Sequence, residues 1–440
     1  MRFRTQLLVW GALFVGAFLW IFTPPAEAAV KILARGTVQQ LQGQRVLSAL
    51  LRWQAYPGAV RYEVRLLRGE PNDWMTAIGS MDHIYATGVT VPLSANESAE
   101  NLYYSVCPLD YNGQPLSEAT APQRVLDGEI NPSAPVLTTE FDKMDYAMLY
   151  PVYSWVPLAG AKHHEVEICR RDGGRDIYVR TLRAGAYDVY DDMAYRTPGR
   201  YKFRVRGVTE SGAPVSDWSE PGVFDVTGEA LIAAFGDSIT HGGGAISVPP
   251  SYLLYNWESY CDVPVKNLGR SGDTTADMLA RFDRDVLPFS PRILIIMGGV
   301  NDYRTGVFGA ASVRNLTALR DRCRAHGITP IFLTATPIRP ALMSARAHID
   351  APPPDWRAHM DYINHWVMQQ EYCVDVSTVL SDANGELEEQ YTTDGLHPDA
   401  AGKKYIGQRV QEYLHTRFAW ASSEAARRLK DAESTARRAR

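Results

Sequence analysis

The sequence predicts a multidomain protein, in which two all-β sandwich domains precede a doubly wound α/β domain with a parallel sheet. Two observations lead to this fold class. In the first half, a segment of about 100 residues occurs twice and alternates apolar with polar residues, as half-buried strands do. From Leu231 onward, unbroken apolar runs alternate with helical patterns, which is typical of parallel strands covered by helices. The length of 440 residues allows about three domains.

The N-terminus has the three-part pattern of a secretory signal peptide. Basic residues precede an apolar stretch, 7–22, and the small residues Ala26 and Ala28 provide a cleavage site. We therefore expect residues 1–28 to be removed and the protein to be secreted, periplasmic or held at the cell envelope. An uncleaved membrane anchor is the alternative, although the apolar stretch is short for a bilayer that needs about 20 residues.

Composition and charge narrow the function classes. The formal net charge of −5 does not favour nucleic acid as a partner. The ten histidines are scattered, and no Cys/His spacing resembles a metal site, so we expect no metal and no cofactor. Five sparse cysteines are not a disulfide scaffold, and buried free thiols are favoured over one or two bridges.

The repeat in the first half carries the two β-sandwich predictions. The segment that begins at Trp53 recurs at Trp155 with five matching positions. A buried Trp among short alternating strands is typical of a β-sandwich of this length. Both units resemble fibronectin type III domains, and the resemblance implies domains at 30–127 and 132–227. These domains are expected to offer an association with the cell envelope.

The second half is expected to hold one α/β domain at 229–418. Its predicted strands are 231–235, 293–297 and 331–333. Its predicted helices are 275–282 and 312–325. An active site in such a fold is expected at the carboxyl ends of the strands. The Ala- and Arg-rich tail, 419–440, is expected to be helical or disordered, and no function is assigned to it.

Four polar motifs lie where predicted strands end or helices begin. Ser238 ends a Gly-Asp-Ser tripeptide after the first apolar strand, and Gly272 lies in a glycine-containing turn that enters a helix. Asn301 follows the second apolar strand, and Asp394 and His397 precede the last predicted helix. Each motif alone is explained by an ordinary turn or helix cap. Together they favour a nucleophilic serine served by a histidine that a carboxylate orients.

In this order, the four motifs resemble those of the SGNH hydrolases, also called GDSL esterases and lipases. The resemblance spans the whole α/β domain. It implies that Ser238 is the nucleophile, that His397 is its general base, and that Asp394 fixes the imidazole. It also implies an oxyanion hole formed by the backbone N–H groups of Ser238 and Gly272 and the side-chain amide of Asn301.

His241 is the other candidate base near Ser238 in the sequence. It follows the nucleophile by three residues, but a general base also needs a third group that orients it. We therefore expect His241 to line the rim of the cleft rather than to take part in the reaction.

The expected function is that of a secreted serine esterase with an acyl-serine intermediate, acting as an O-acetyl esterase on extracellular carbohydrate. A lysophospholipase or lipase-like acyl esterase is the alternative, and a non-catalytic glycan-binding protein is a further one. Export argues against cytosolic thioesters as substrates. Aromatic residues follow the nucleophile, including Tyr252 and Trp257, and such rings stack on sugars but also line lipid pockets.

Overall fold

Two β units and an α/β domain follow one another along the chain. The structure, a computed structural model, describes residues 32–40, 47–69, 75–92, 101–132, 134–244, 252–424 and 427. The predicted signal peptide, 1–28, lies outside the described residues. Within those ranges, no helix is both long enough and apolar enough to cross a membrane.

The first β unit is one continuous sheet. Its strands are β1 Ile32–Gln40, β2 Leu47–Trp53, β3 Arg61–Arg68, β4 Thr76–Ile84, β5 Gly88–Pro92, β6 Leu102–Leu109 and β7 Gln123–Pro132, in the spatial order β4-β3-β6-β7-β1-β2-β5. The two layers expected of a β-sandwich are joined here into one sheet, because β7 pairs antiparallel with β6 and then parallel with β1. The two halves of the sheet enclose a core that contains the fully buried Trp53. Strand β7 also runs past the predicted end of the unit at 127.

The second β unit has two sheets with a shared core. Its strands are β8 Val152–Ser154, β9 His163–Asp172, β10 Arg175–Ala184, β11 Asp188–Tyr190, β12 Gly199–Val208 and β13 Gly222–Val226. Strands β10-β9-β12-β13 form one antiparallel sheet, and β11 pairs with β8 in the other. Trp155 is fully buried, and Tyr153 packs its ring on Phe203 at a centroid distance of 4.7 Å. This unit is therefore a two-layer sandwich.

The α/β domain has a five-stranded parallel sheet. Its strands are β14 Ile232–Gly236, β15 Lys266–Asn267, β16 Ile293–Met297, β17 Thr329–Leu333 and β18 Cys373–Val374, in the order β15-β14-β16-β17-β18. Every pairing is parallel, as predicted from the apolar runs. The chain places β15 on one side of β14 and β16 on the other, which creates a switch point at the carboxyl end of β14.

Helices flank this sheet. They are α1 Ser238–His241, α2 Thr275–Asp285, α3 Val300–Arg304, α4 Gly309–Ala325, α5 Pro340–Arg346, α6 Trp356–Met368, α7 Ser377–Leu380 and α8 Ala400–Arg417. Helix α2 begins with a capping box, in which the Thr274 hydroxyl accepts the Asp277 N–H. The predicted tail begins with helical residues, 419–424, and Ala421 is fully buried against the core. The packed domain therefore extends past residue 418.

All three units meet at Tyr252. Its hydroxyl lies 3.2 Å from the hydroxyl of Thr87 in the first β unit. It donates to the hydroxyl of Thr138, at the start of the second β unit, over 3.2 Å. Because Tyr252 is itself buried in the α/β domain, these contacts hold the β units against the part of the chain that follows the predicted nucleophile.

Candidate active site

Ser238 stands at the switch point of the parallel sheet. It is the first residue of α1, directly after β14. The side chain of Asp237 caps this helix by accepting the Ile239 N–H over 2.9 Å. Burial raises the pKa of Asp237 to about 7. The turn from strand to helix thus presents the Ser238 hydroxyl at the edge of the sheet where α/β enzymes bind their ligands.

The predicted nucleophile, base and carboxylate lie in one line of contacts. The His397 Nε2 atom is 2.9 Å from the Ser238 Oγ atom. The His397 Nδ1 atom is 2.7 Å from the Asp394 Oδ2 atom. A carboxylate at Nδ1 keeps the proton there, so Nε2 is free to accept the hydroxyl proton of the serine. The structure therefore brings together residues that are 159 positions apart in sequence.

In the turn that carries Asp394 and His397, backbone N–H groups hold the Asp394 carboxylate in place. The Asp394 Oδ1 atom accepts the N–H groups of Leu396 and His397, at 2.7 and 2.8 Å. Burial alone would raise the pKa of Asp394, but the charge of His397 and these hydrogen bonds outweigh it, and the pKa lies below its ordinary value. Gly395 has a φ of +80°, and a Cβ there would collide with the carbonyl oxygen of Arg339. Only glycine fits this turn.

The predicted oxyanion-hole residues lie beside Ser238. Gly272 has a φ of +88°, and a Cβ placed there would meet nothing within 4 Å, so this backbone faces open space. Asn301 is buried, its Nδ2 atom donates to the carbonyl of Asp273 over 2.8 Å, and its Oδ1 atom accepts from Arg304 Nε over 2.9 Å. An amide nitrogen carries two N–H groups, so Asn301 retains a second donor for a ligand.

The predicted nucleophile, its base and the oxyanion-hole residues line one cavity of about 300 Å³. Its walls are Tyr190, Ser238, Gly242, Gly244, Ser271, Gly272, Asn301, Arg304, Ile349, Leu396 and His397. Asp394 lies behind His397, as the carboxylate of such a triad does. Arg304 was missed from the sequence, although its position one helical turn after Asn301 signals that it shares a face with it. Tyr190 comes from the second β unit, and no local pattern marks it.

The prediction that His241 lines the rim of the cleft is wrong. Its ring is only 3% exposed, because it lies between the α/β domain and the second β unit. The Nε2 atom donates to the Tyr150 carbonyl over 2.7 Å, and Nδ1 lies 2.9 Å from the Ser271 hydroxyl. Burial lowers the pKa of His241 to about 4. Both ring nitrogens are therefore engaged away from Ser238.

The described residues outside this cluster include no metal site and no disulfide. The described residues contain no group of three or more His, Cys, Asp or Glu side chains placed to hold a metal ion. The five cysteines, all of them described, are free thiols. The candidate site is consequently the cluster of Ser238, Asp394 and His397 with the groups that surround it.

Comparison with known proteins assigns the α/β domain to a family. Residues 234–405 match the profile described as the GDSL-like Lipase/Acylhydrolase family. The α/β domain belongs to this family. All five predicted site residues lie within the matched residues.

Individual relatives were also found. The chain is 33% identical to the uncharacterized lipoprotein YqeF of Bacillus subtilis (strain 168), over 24% of this chain and 49% of that protein. It therefore spans about half the length of this curated relative. Among solved structures, a lipase/acylhydrolase from Enterococcus faecalis is 24% identical over 42% of this chain and 95% of the other, with a TM-score of 0.35. A catalytic mutant of the acetylxylan esterase Axe2 from Geobacillus stearothermophilus is 20% identical over 43% and 95%, with a TM-score of 0.32.

Proposed function

We propose that this protein is a serine esterase, which cleaves O-acetyl esters of extracellular carbohydrate through an acyl-serine intermediate. The observation that carries the proposal is the contact of 2.9 Å between His397 Nε2 and Ser238 Oγ, with Asp394 at the other ring nitrogen. The acylhydrolase family of the domain supports the same reaction. A base, a nucleophile and an orienting carboxylate in hydrogen-bond contact are what acyl transfer to serine requires.

The reaction begins when His397 takes the hydroxyl proton of Ser238 and the Oγ atom bonds to the ester carbonyl carbon. The carbonyl oxygen becomes an oxyanion, which the N–H groups of Ser238, Gly272 and Asn301 stabilise. The bond to the leaving alcohol then breaks, and His397 gives the alcohol its proton. Water attacks the acyl-serine with His397 again as base. The acid leaves, and the proton returns to Ser238.

The size and lining of the cavity support a short acyl group. Its volume of about 300 Å³ lies at the small end of the range of ~300–1,000 Å³ for small-molecule sites. Glycines and polar side chains make up much of the wall, and its larger apolar surfaces come from Tyr190, Ile349 and Leu396. A chain of eight or more carbons needs a long apolar channel, whereas an acetyl group needs only a small cavity such as this one. An aromatic wall also suits a sugar ring.

The rest of the chain supports action outside the cytoplasm. The signal-peptide pattern of 1–28 predicts export, and the relative YqeF is named a lipoprotein, which supports a place at the cell envelope. The sheets of the second β unit, β10-β9-β12-β13 and β11-β8, support the fibronectin type III resemblance. We therefore propose that the protein works on a polymer at or beyond the cell surface.

The test compares acetate release from acetylated oligosaccharides with hydrolysis of lysophospholipid and of esters of eight to sixteen carbons. Wild-type protein is expected to release acetate, and Ser238→Ala to lose at least about 10³-fold in kcat. Ser422→Ala is the control, since Ser422 is an exposed serine in the helical residues 419–424. Preference for the long chains would favour the lipase alternative. Undiminished turnover by Ser238→Ala would exclude the serine mechanism.

A further inference from the structure

The second β unit reaches the reacting groups through its two-stranded sheet. Tyr190, the last residue of β11, lines the same cavity as Ser238 and His397 and is 49% exposed. Its ring also packs edge-on against His241, with the centroids 5.8 Å apart and the planes at 73°. The α/β domain thus supports the Tyr190 ring on one side, while the side chain remains open to the cleft. A rigid aromatic side chain of this kind is a binding wall.

A hydrogen-bonded chain runs from the same β unit to the proposed oxyanion hole. Tyr150 lies two residues before β8, and its carbonyl can only accept, so the His241 Nε2 atom carries a hydrogen. Because burial keeps His241 neutral, its Nδ1 atom is an acceptor. It accepts from the Ser271 hydroxyl over 2.9 Å and from the Ser271 N–H over 3.3 Å. Ser271 directly precedes Gly272, whose N–H is a proposed oxyanion donor.

Tyr150 makes a second connection through its hydroxyl. The hydroxyl donates to the Asp285 Oδ2 atom over 2.7 Å, and Arg281 lies 3.4 Å from the same oxygen. Arg281 in turn donates to the carbonyl of Gly236, two residues before the nucleophile, over 3.0 Å. Two series of hydrogen bonds, one from the carbonyl of Tyr150 and one from its hydroxyl, therefore end beside the reacting groups.

We infer that the second β unit is a working part of the active site rather than a separate binding module. Tyr190 forms the wall against which the substrate binds. The Tyr150 carbonyl, acting through His241 and Ser271, positions the backbone that contacts the oxyanion. This inference rests on the proposed esterase function. It makes Tyr190 a specificity residue, and it makes His241 and Ser271 positioning residues.

The wall is tested by Tyr190→Ala in the full-length protein, with acetylated oligosaccharide as substrate. Tyr178→Ala is the matched control, because Tyr178 is an exposed tyrosine, 62% exposed, on β10 of the same unit. We expect Tyr190→Ala to raise KM by about five- to ten-fold with kcat within about two-fold, the pattern of lost substrate binding. Tyr178→Ala should leave both unchanged. A KM for Tyr190→Ala within two-fold of wild type would overturn the assignment of the wall.

The positioning chain is tested by Ser271→Ala, which removes the hydroxyl but keeps the backbone. We expect kcat, expressed per active site titrated with a serine-reactive phosphonate, to fall about five- to ten-fold with KM nearly constant. Ser271→Thr keeps the hydroxyl and should restore most of the rate. A merely structural role would lower the titratable fraction and leave the rate per site unchanged. An inactive Ser238→Ala beside an unaffected Ser271→Ala would refute this inference alone, whereas an active Ser238→Ala would refute the proposed function as well.

Discussion

At the scale of single residues, the polar groups of the cleft are already held in place before any substrate binds. Asp394 accepts two backbone N–H groups and one imidazole N–H. Asn301 is fixed by the Asp273 carbonyl on its nitrogen and by Arg304 on its oxygen. A group held in this way need not reorganise when charge develops on the substrate, and this is how preorganised sites lower an activation barrier.

The carboxylate of Asp394 supports a prediction at this scale. In Asp394→Asn, the amide can donate to Nδ1 of His397, which would shift the ring proton to Nε2 and remove the base. We expect kcat to fall by about 10³- to 10⁴-fold with little change in folding stability or KM. Steady-state kinetics on an acetyl ester measures this. The exposed Asp361 of α6 provides the control Asp361→Asn, and a loss of less than ten-fold in Asp394→Asn would contradict the assigned role.

At the scale of elements, helix α2 organises the loops around Ser238. Its Arg281 is only 2% exposed in its side chain and donates to the carbonyls of Gly236 and Leu268, at 3.0 and 2.8 Å. It also pairs with the carboxylates of Asp273 and Asp285. A buried guanidinium needs such partners, since an unpaired charge in the interior is strongly unfavourable. The β14 turn and the Gly272 loop are therefore tied to one helix.

The network predicts a large difference between two arginines of α2. Arg281→Ala removes the buried cation from both carboxylates: Asp273 keeps only the longer contact of 3.8 Å with Arg270, while Asp285 keeps Arg196 and Arg284. We expect this variant to lower the free energy of unfolding by about 3–5 kcal/mol. Arg284 also contacts Asp285, but its side chain is 58% exposed, so Arg284→Ala should cost less than about 1 kcal/mol. Urea denaturation of both variants measures the difference. Equal losses of unfolding free energy in the two variants would show that burial does not determine how much each arginine contributes to stability.

At the scale of the whole molecule, neutral histidines are buried in and beside the second β unit. His164 on β9 packs its ring on Trp155 and donates from Nδ1 to the Gly185 carbonyl over 2.9 Å. Burial lowers the pKa of His164 to about 4, as it does for His241. Both residues carry less charge in the folded protein than in the unfolded chain. The unit that borders the cleft is therefore sensitive to acid.

This sensitivity gives a pH prediction. Between about pH 6.5 and pH 4 the unfolded chain binds more protons at His164 than the folded protein, so stability is full above this window and is lost as pH falls through it. In His164→Gln, the drop in unfolding free energy from pH 7 to pH 4.5 should be smaller by about 2–3 kcal/mol.

Urea unfolding of wild type and variant at both pH values provides the measurement. Buried carboxyl groups act with the opposite sign, since burial raises the pKa of Asp188 to about 6. They are present in both proteins and cancel in the comparison. Parallel pH curves for the two proteins would rule out His164 as a source of the acid sensitivity.

The sequence by itself determined the layout of the α/β domain and the members of the candidate site. Each apolar run carries its own strand signal, and carboxyl ends of parallel strands meet at one edge of a sheet. Ser238 and Asn301 follow two such strands, and Gly272 and His397 lie in turns with local signatures. Their convergence could therefore be predicted without knowing any contact between them.

The tertiary structure alone decided what surrounds that site. The buried position of His241 depends on the Tyr150 carbonyl, 91 residues away, and the wall at Tyr190 depends on how two units pack. The continuous sheet of the first β unit depends on which edges β7 meets. Such contacts form between segments distant in sequence, and each side chain involved has an ordinary local pattern. Only the packing of the folded chain brings them to the cleft.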